Sequence, residues 1–418
     1  MVKKIAAITF IFICTTIAWA ILGATIFART ESAGSRLQGK VASSWGSPQT
    51  QTPPSASYFV TKTRSEEVLE NGNRITRPIS ETTEIPLTLE ATRVNVGLNL
   101  DYRQKGLLWY STYAVDFAGQ YTFHNPSDTS QTVRFKVRFP ASNALYDDLS
   151  VAVDGSPVTI TTGADGAVAI AQLPPSQLST LVFSYRSQGL GNWTYKFGND
   201  VSQVRDFVLN TKTNFKGVDF AEDTLSPTEK HETPQGWDLS WKYKSLLSGL
   251  QIGMVMPERL QPGPLAGQIS FFAPVSLFFF FFLLFIITTL RNIELHPMNY
   301  FFLATAFFAF HLLLAYLVDH ISIHLAFAIC SVISVFLVIS YLRLVVGLRF
   351  AALEAGGAQF IYLVLFSYAF FFKGFTGLAI TIGSIVTLFV VMQMTGRIRW
   401  AEKFSARNSY FPRDVPAS

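Results

Sequence analysis

Arg291-Asn-Ile-Glu-Leu-His-Pro-Met-Asn-Tyr300 is a polar turn set between two very apolar runs. Before it stands Ile269–Leu290, with five consecutive phenylalanines, Phe278–Phe282; after it stands Phe301–Val318. At about 1.5 Å of helix per residue, each run suffices to cross a bilayer core of roughly 30 Å. The turn therefore fixes a membrane hairpin, and the rest of the chain is placed from it.

The 418 residues are 49% hydrophobic and 15% charged, with a mean hydropathy of +0.30. That is too apolar for an ordinary soluble enzyme and fits a membrane protein with a substantial soluble part. The net charge of +5 is not a nucleic-acid footprint, because residues 29–268 hold 22 basic against 23 acidic side chains. The basic excess belongs to the membrane flanks, as the positive-inside rule expects. The two cysteines, Cys14 and Cys330, lie in apolar runs. The soluble region thus needs no disulfide and holds no thiolate metal site.

Lys3 and Lys4 precede the apolar run Ile5–Ala28. This run exceeds the roughly 7–15 apolar residues of a signal peptide, and cleavage after Ala28 would put Ile26 where a small residue is needed. Residues 1–28 are read as an uncleaved anchor. Residues 29–57 read as stalk and linker: Leu37 and Val41 share a helical face, Trp45-Gly46-Ser47-Pro48-Gln49 breaks the helix, and Pro53-Pro54 follows.

From 58 to 262 the period changes to two. Val133-Arg-Phe-Lys-Val-Arg-Phe139 alternates strictly, Asp154-Gly155 marks a hairpin, and Asn71-Gly72, Asn125-Pro126 and Pro174-Pro175 mark further turns. Many short strands predict an antiparallel, sandwich-like β domain, either single or divided near residue 190. Five apolar segments then form a membrane domain over 269–395: Ile269–Leu290, Phe301–Val318, Ile321–Ser340, Gln359–Phe372 and Phe375–Met394. A basic tail, 396–418, closes the chain. The predicted fold class is an integral membrane α-helical protein of six transmembrane spans with an inserted all-β domain.

Six spans put both termini on one side. Lys3, Lys4, Arg291, Arg343, Arg349, Arg397, Arg399, Lys403, Arg407 and Arg413 fall there, against Lys373 in the short loops opposite. The asymmetry predicts cytoplasmic termini, an external β domain over 29–268, and a cytoplasmic stretch Tyr341–Ala358 with an interfacial helix.

Several stretches resemble the CreD-like inner-membrane proteins of bacterial envelopes. Leu295-His296-Pro297-Met298-Asn299-Tyr300 is similar to that family's Leu-His-Pro-x-Gln-Tyr turn, and Val318-Asp319-His320 stands where the family tends to have Ser-Glu-His. Trp45-Gly46-x-Pro48-Gln49 resembles its Trp-Gly-x-x-Gln segment; Gly106-Leu107 to Gly119-x-Tyr121, Asn214 to Pro227, and Ile398-x-Trp400 resemble further segments. Thr288 departs from the acidic residue usual at the end of the second span, and Asn214-Phe215-Lys216-Gly217 departs from an aromatic-rich segment. The resemblance implies an inner-membrane protein linked to envelope integrity, colicin tolerance and β-lactam stress. It implies no catalytic reaction.

Six residues are candidates for function. His296 is a candidate switch at the cytoplasmic turn, yet Pro297 suits a first helical turn and Tyr300 an interfacial anchor, so a hinge is the plainer reading. His311 lies inside an apolar run, where an ionisable group is either functional or bonded to a neighbouring helix through a residue such as Thr288, Ser331 or Tyr341. Asp319 and His320 end the third span; adjacent helical residues do not face each other, so a shared site would need His324 or another span. The five phenylalanines read as lipid-facing bulk, and Gly356-Gly357 suits close helix packing.

No phosphate loop, dinucleotide fingerprint, zinc-protease motif or nucleophile elbow occurs. The expectation is a non-enzymatic protein without cofactor or metal. Its partners would be the lipid bilayer and an envelope protein or cell-wall component, with no nucleic acid. A transporter or insertase-like machine is the alternative: the layout of anchor, β domain and five spans resembles YidC insertases, but the turn at 291–300 is far shorter than their helical hairpin. A membrane hydrolase is a third reading, without a nucleophile–base pair to name.

Overall fold

The computed structural model describes residues 2–396 apart from 71–72, 106–107, 143, 164–165, 199–201 and 373. The Asn71-Gly72 turn, Gly106-Leu107, Lys373, Ile398-x-Trp400 and nearly all of the tail lie outside the described residues. Two compact units form, one on Met1–Ser35, Gly106–Leu108 and Leu260–Ser418, the other on Arg36–Lys105 and Trp109–Arg259.

Among the described residues, six helices are long and apolar enough to cross a membrane. They are α1 (Val2–Trp45), α2 (Pro262–Leu290), α3 (Pro297–Leu317), α4 (Ile323–Val346), α5 (Phe350–Phe371) and α6 (Thr376–Thr395). In lipid, helices associate through close packing and not through the hydrophobic effect. The core accordingly interlocks large rings: Phe280 meets Phe307 at 5.6 Å, Phe281 meets Tyr300 edge-on at 5.3 Å, and Phe310 meets Phe327 edge-on at 5.5 Å.

The phenylalanine run is not simply lipid-facing. Phe280 and Phe281 are buried, while Phe278 and Phe282 are exposed. At 3.6 residues per turn, five successive residues cover every side of a helix, so the run had to divide. The fifth span is also longer than its hydropathy suggested. It starts at Phe350, not Gln359, and only residues 347–349 separate it from α4, so no interfacial helix fills 341–358. Polar Arg349 and Glu354 with Gly356-Gly357 had diluted its apolar signal. Two π-helical stretches, Phe350–Ala355 and Phe360–Leu365, widen α5. Gly356 lets Ile339 approach closely, since a Cβ would come within 2.9 Å of its Cδ1 and push that side-chain end aside; Gly357 faces open space.

The described residues of the β unit form three sheets. The largest runs Glu229–Glu232, Trp237–Ser248, Ser202–Thr213, Thr88–Lys105, Leu108–His124, Leu178–Leu190, Tyr146–Val153, Ser156–Pro157. A five-stranded sheet includes Gln131–Arg138, whose Val133, Phe135 and Val137 point inward as the alternation predicts. The Asp154-Gly155 turn has φ of 49° and 79°, the left-handed pair a tight hairpin requires. The sheets are not wholly antiparallel: Ser202–Thr213 lies parallel to Thr88–Lys105, and Gln49–Gln51 parallel to Asn192–Tyr195. Both pairings join segments far apart in the chain, the separation a parallel pair demands.

Gln49–Gln51 falls in the stretch read as linker. Its two glutamines are fully buried, and the strand forms a small sheet with Asn192–Tyr195 and Ile252–Val255. Polar composition hid this strand, because burial of glutamine needs a hydrogen-bonding cage that no local pattern announces.

The core between sheets is rich in tyrosine. Burial holds the hydroxyls of Tyr113, Tyr121, Tyr185 and Tyr195 above the ordinary tyrosine range and pushes Tyr146 up to about 12. These groups bind their protons more tightly folded than unfolded. Their contribution is whole below the ordinary tyrosine pKa of about 10 and is lost as pH rises past it toward the raised values. The β unit is therefore expected to hold to about pH 10 and to unfold on going above it. Absorbance at 295 nm should show these tyrosines ionising together with the loss of strand signal, and not before.

Candidate functional site

The turn that organises the membrane unit is built as a helix cap. His296 precedes α3, and its Nδ1 accepts the backbone N–H of Met298 at 3.2 Å. Pro297 takes the first helical position, where its missing N–H is no loss. Leu295 and Tyr300 are buried, and the Asn299 carbonyl oxygen accepts the Tyr341 hydroxyl of α4 at 2.8 Å. Every residue of the Leu-His-Pro-x-Asn-Tyr wording except Met298 thus caps, starts or packs α3. At the same end Arg291 pairs with Glu354 of the first π-helical stretch at 2.6 Å. Glu354 lies in the stretch that the sequence places outside the membrane with an interfacial helix, and nothing local in it points to Arg291.

His311 is fully buried, as membrane depth implied, but the expected interhelical bond is absent. Its Nδ1 lies 3.1 Å from the Phe307 carbonyl one turn back in α3. The proposed partners are engaged elsewhere: Thr288 with Leu284, Ser331 with Phe327, and Tyr341 with Asn299. Instead His311 meets the indole of Trp19 at 5.6 Å with the rings perpendicular, and His311 Nε2 and Trp19 Nε1 have no hydrogen-bond partner among the described residues. An anchor tryptophan inside the bundle had no signal in the sequence beyond its position in an apolar run.

Asp319 and His320 do not share a site. Asp319 pairs with Arg29 of α1 at 3.3 Å, and the same guanidinium donates to the Ala315 carbonyl at 2.9 Å. His320 is exposed, and His324 lies against Phe371 at 5.2 Å. The Arg29 partner was legible in principle, since both residues end their spans on one side. A second buried polar link joins α5 to α4, where Gln359 donates to Ser334 at 2.8 Å and Ser334 to the Ala306 carbonyl at 3.1 Å.

The β unit offers a different kind of site. A groove of about 500 Å³ crosses the outer face of the eight-stranded sheet. Gly97 and Ala118 form part of its lining, and their small size leaves the room. Its polar groups are already engaged with one another or with neighbours: Asn210 donates to Asn95 at 3.1 Å, Asn99 to Asp116 at 3.3 Å, and Arg186 to Asp148. Lys212 adds an ammonium without an ion pair among the described residues. The volume suits a small polar ligand or a few side chains of a macromolecule. The alternating pattern of five separate strands places these residues together, and no stretch of sequence shows them as neighbours. Among the described residues no cluster of three or more His, Cys, Asp or Glu is placed to hold a metal ion.

A comparison with curated proteins finds no match. Among solved structures, a Legionella pneumophila protein provisionally assigned to nutrient binding is 12% identical over 47% of this chain and 74% of its own, with a TM-score of 0.31. The M1 zinc metallopeptidase of Deinococcus radiodurans is 11% identical over 41% of this chain and 42% of its own, with a TM-score of 0.28. Leukotriene A4 hydrolase of Saccharomyces cerevisiae is 10% identical over 41% and 29%, with a TM-score of 0.25. Scores this low transfer neither a fold nor an activity. The membrane helices are another matter: residues 269–401 match the family model described as inner membrane protein CreD. That match lies on the last five spans and on the Leu-His-Pro turn itself, so this part of the chain is similar to the CreD inner-membrane proteins, and the six apolar helices fit a multi-pass inner-membrane protein.

Proposed function

We propose that this protein supports cell-envelope integrity and the response to envelope stress without catalysing a reaction, its β unit binding an envelope protein or cell-wall component. In this reading the termini are cytoplasmic, residues 29–268 face the periplasm, and nucleic acid is not a partner. The observation that carries the proposal is the groove over Gly97 and Ala118, whose asparagine, aspartate and arginine side chains are held in hydrogen bonds. Groups so held are preorganised for recognition, and such a surface binds without further ordering cost. The charge asymmetry across the spans supports the orientation.

Deleting the protein in its host is expected to raise sensitivity to detergent, bile salts and β-lactams. A photo-crosslinking residue placed at Ala118 should capture one envelope component in intact cells. Asn210→Ala combined with Lys212→Glu should lose that product and reproduce the deletion at unchanged protein level. Unaltered sensitivity of the deletion under every stress would overturn the proposal.

The fully buried His311 favours one second reading, transport through the bundle. Solute flux in proteoliposomes that disappears in His311→Leu would support it.

A further inference from the structure

Arg259 is the last residue of the β unit, three before α2 begins at Pro262. The segment carrying it is fixed by two bonds: Met256 N–H to the Gly191 carbonyl at 2.8 Å, and Ser111 Oγ to the Pro257 carbonyl at 2.7 Å. The guanidinium then lies 4.5 Å from the centre of the Tyr102 ring and 4.4 Å from that of Trp109. Both rings stand on the hairpin formed by Thr88–Lys105 and Leu108–His124. Arg259 is exposed and makes no ion pair among the described residues, whereas nearby Arg103 pairs with Asp101 at 2.9 Å. The other charges close in sequence are Lys105 and Glu258.

We propose that the Tyr102–Arg259–Trp109 clamp binds the phosphate of a membrane phospholipid, with anionic headgroups preferred. Two aromatic rings satisfy the guanidinium through its π-faces and leave its in-plane N–H groups directed outward. A phosphate accepts two such N–H groups as a fork. Tyrosine and tryptophan are the side chains that settle at headgroup depth, since their rings are apolar and their tips polar. Three residues of chain reach no more than about 10 Å, so the clamp is tethered beside the start of a membrane span. A cation held at that distance without a carboxylate partner meets lipid phosphate before any other anion. The site does not depend on the groove or on which leaflet the β unit faces.

The test uses the full chain, purified in detergent with an equal mixture of phosphatidylglycerol and phosphatidylcholine, and counts retained lipids by native mass spectrometry. Wild type should retain phosphatidylglycerol preferentially. Arg259→Gln should reduce that preference about fivefold, the scale of one cation at a lipid surface. Arg259→Lys keeps the charge but cannot fork or stack, and should lose most of it; Trp109→Leu should do the same. Protease resistance of the β unit, equal in all four proteins, excludes loss of folding as the cause. Equal retention by wild type and Arg259→Gln overturns the proposal. Displacement of the lipid by millimolar inorganic phosphate or glycerol phosphate also overturns it, because the site would then serve a soluble anion.

Discussion

Gly46→Ala is expected to destabilise the β unit by about 3–5 kcal/mol, a large share of the roughly 5–15 kcal/mol that holds a domain folded. Gly46 ends α1 and turns the chain into the Gln49–Gln51 strand with a φ of +111°, a conformation that costs an L-residue about 1–2 kcal/mol. Strain is the lesser part. A Cβ at this position would lie 2.1 Å from the carbonyl oxygen of Gln188 and 2.8 Å from its carbon. Those are backbone atoms of a core strand, and they cannot swing aside as a side chain would. Gly155 supplies the control. Its φ is +79°, but a Cβ there meets nothing within 4 Å. Gly155→Ala should therefore cost only about 1 kcal/mol, the strain alone. Midpoints of proteolytic unfolding on purified protein separate the two. Equal losses at both positions would show that the contact with Gln188 does not matter.

Gln51→Leu is the second large effect, expected at about 2–4 kcal/mol. Gln51 is fully buried; its Oε1 accepts the Tyr185 hydroxyl at 2.8 Å and its Nε2 donates to the Thr52 carbonyl at 2.7 Å. Leucine matches the volume but strands the hydroxyl of Tyr185, itself buried in the aromatic core beside Phe117 at 5.0 Å. A buried donor left without its acceptor costs more than the bond contributed. Tyr185→Phe removes that donor, so the double variant should recover about 1 kcal/mol relative to Gln51→Leu. Strict additivity of the two single effects in chemical denaturation would disprove the coupling.

These two residues also mark the limit of what the sequence shows. Membrane spans were legible because lipid leaves no choice: about twenty apolar residues must form a helix. The β unit was legible in Val133–Phe139 because a half-buried strand repeats its environment every second residue. Gln49 and Gln51 obey neither rule. They are polar, lie among serine, threonine and proline, and become core only through partners more than 80 residues away, such as Tyr185 and Arg138. Glu354 was obscured for the opposite reason, since a charge lowers local hydropathy whether or not Arg291 meets it. Of the six candidate residues, the cap formed by His296 and Pro297 followed from local chemistry. The Trp19–His311 contact and the Arg29–Asp319 pair join separate helices, which no single segment encodes. The groove needed five strands in register, and register is a property of the assembled sheet.

The small sheet beneath that core has a mechanical consequence. Gln49 and Met254 flank Trp193 in register, one on each side, and their strands run in opposite directions. At about 4.8 Å between neighbouring strands, the points where the chain enters and leaves the β unit are roughly 10 Å apart. Both points lie at the same end of the clasp, so tension applied between them would act across its hydrogen bonds and open them one after another from that end. Ser111 Oγ on the Pro257 carbonyl and the Leu190 N–H on the Ser47 carbonyl brace the two ends against the eight-stranded sheet, so a pull on the tethers reaches that sheet only through these side bonds.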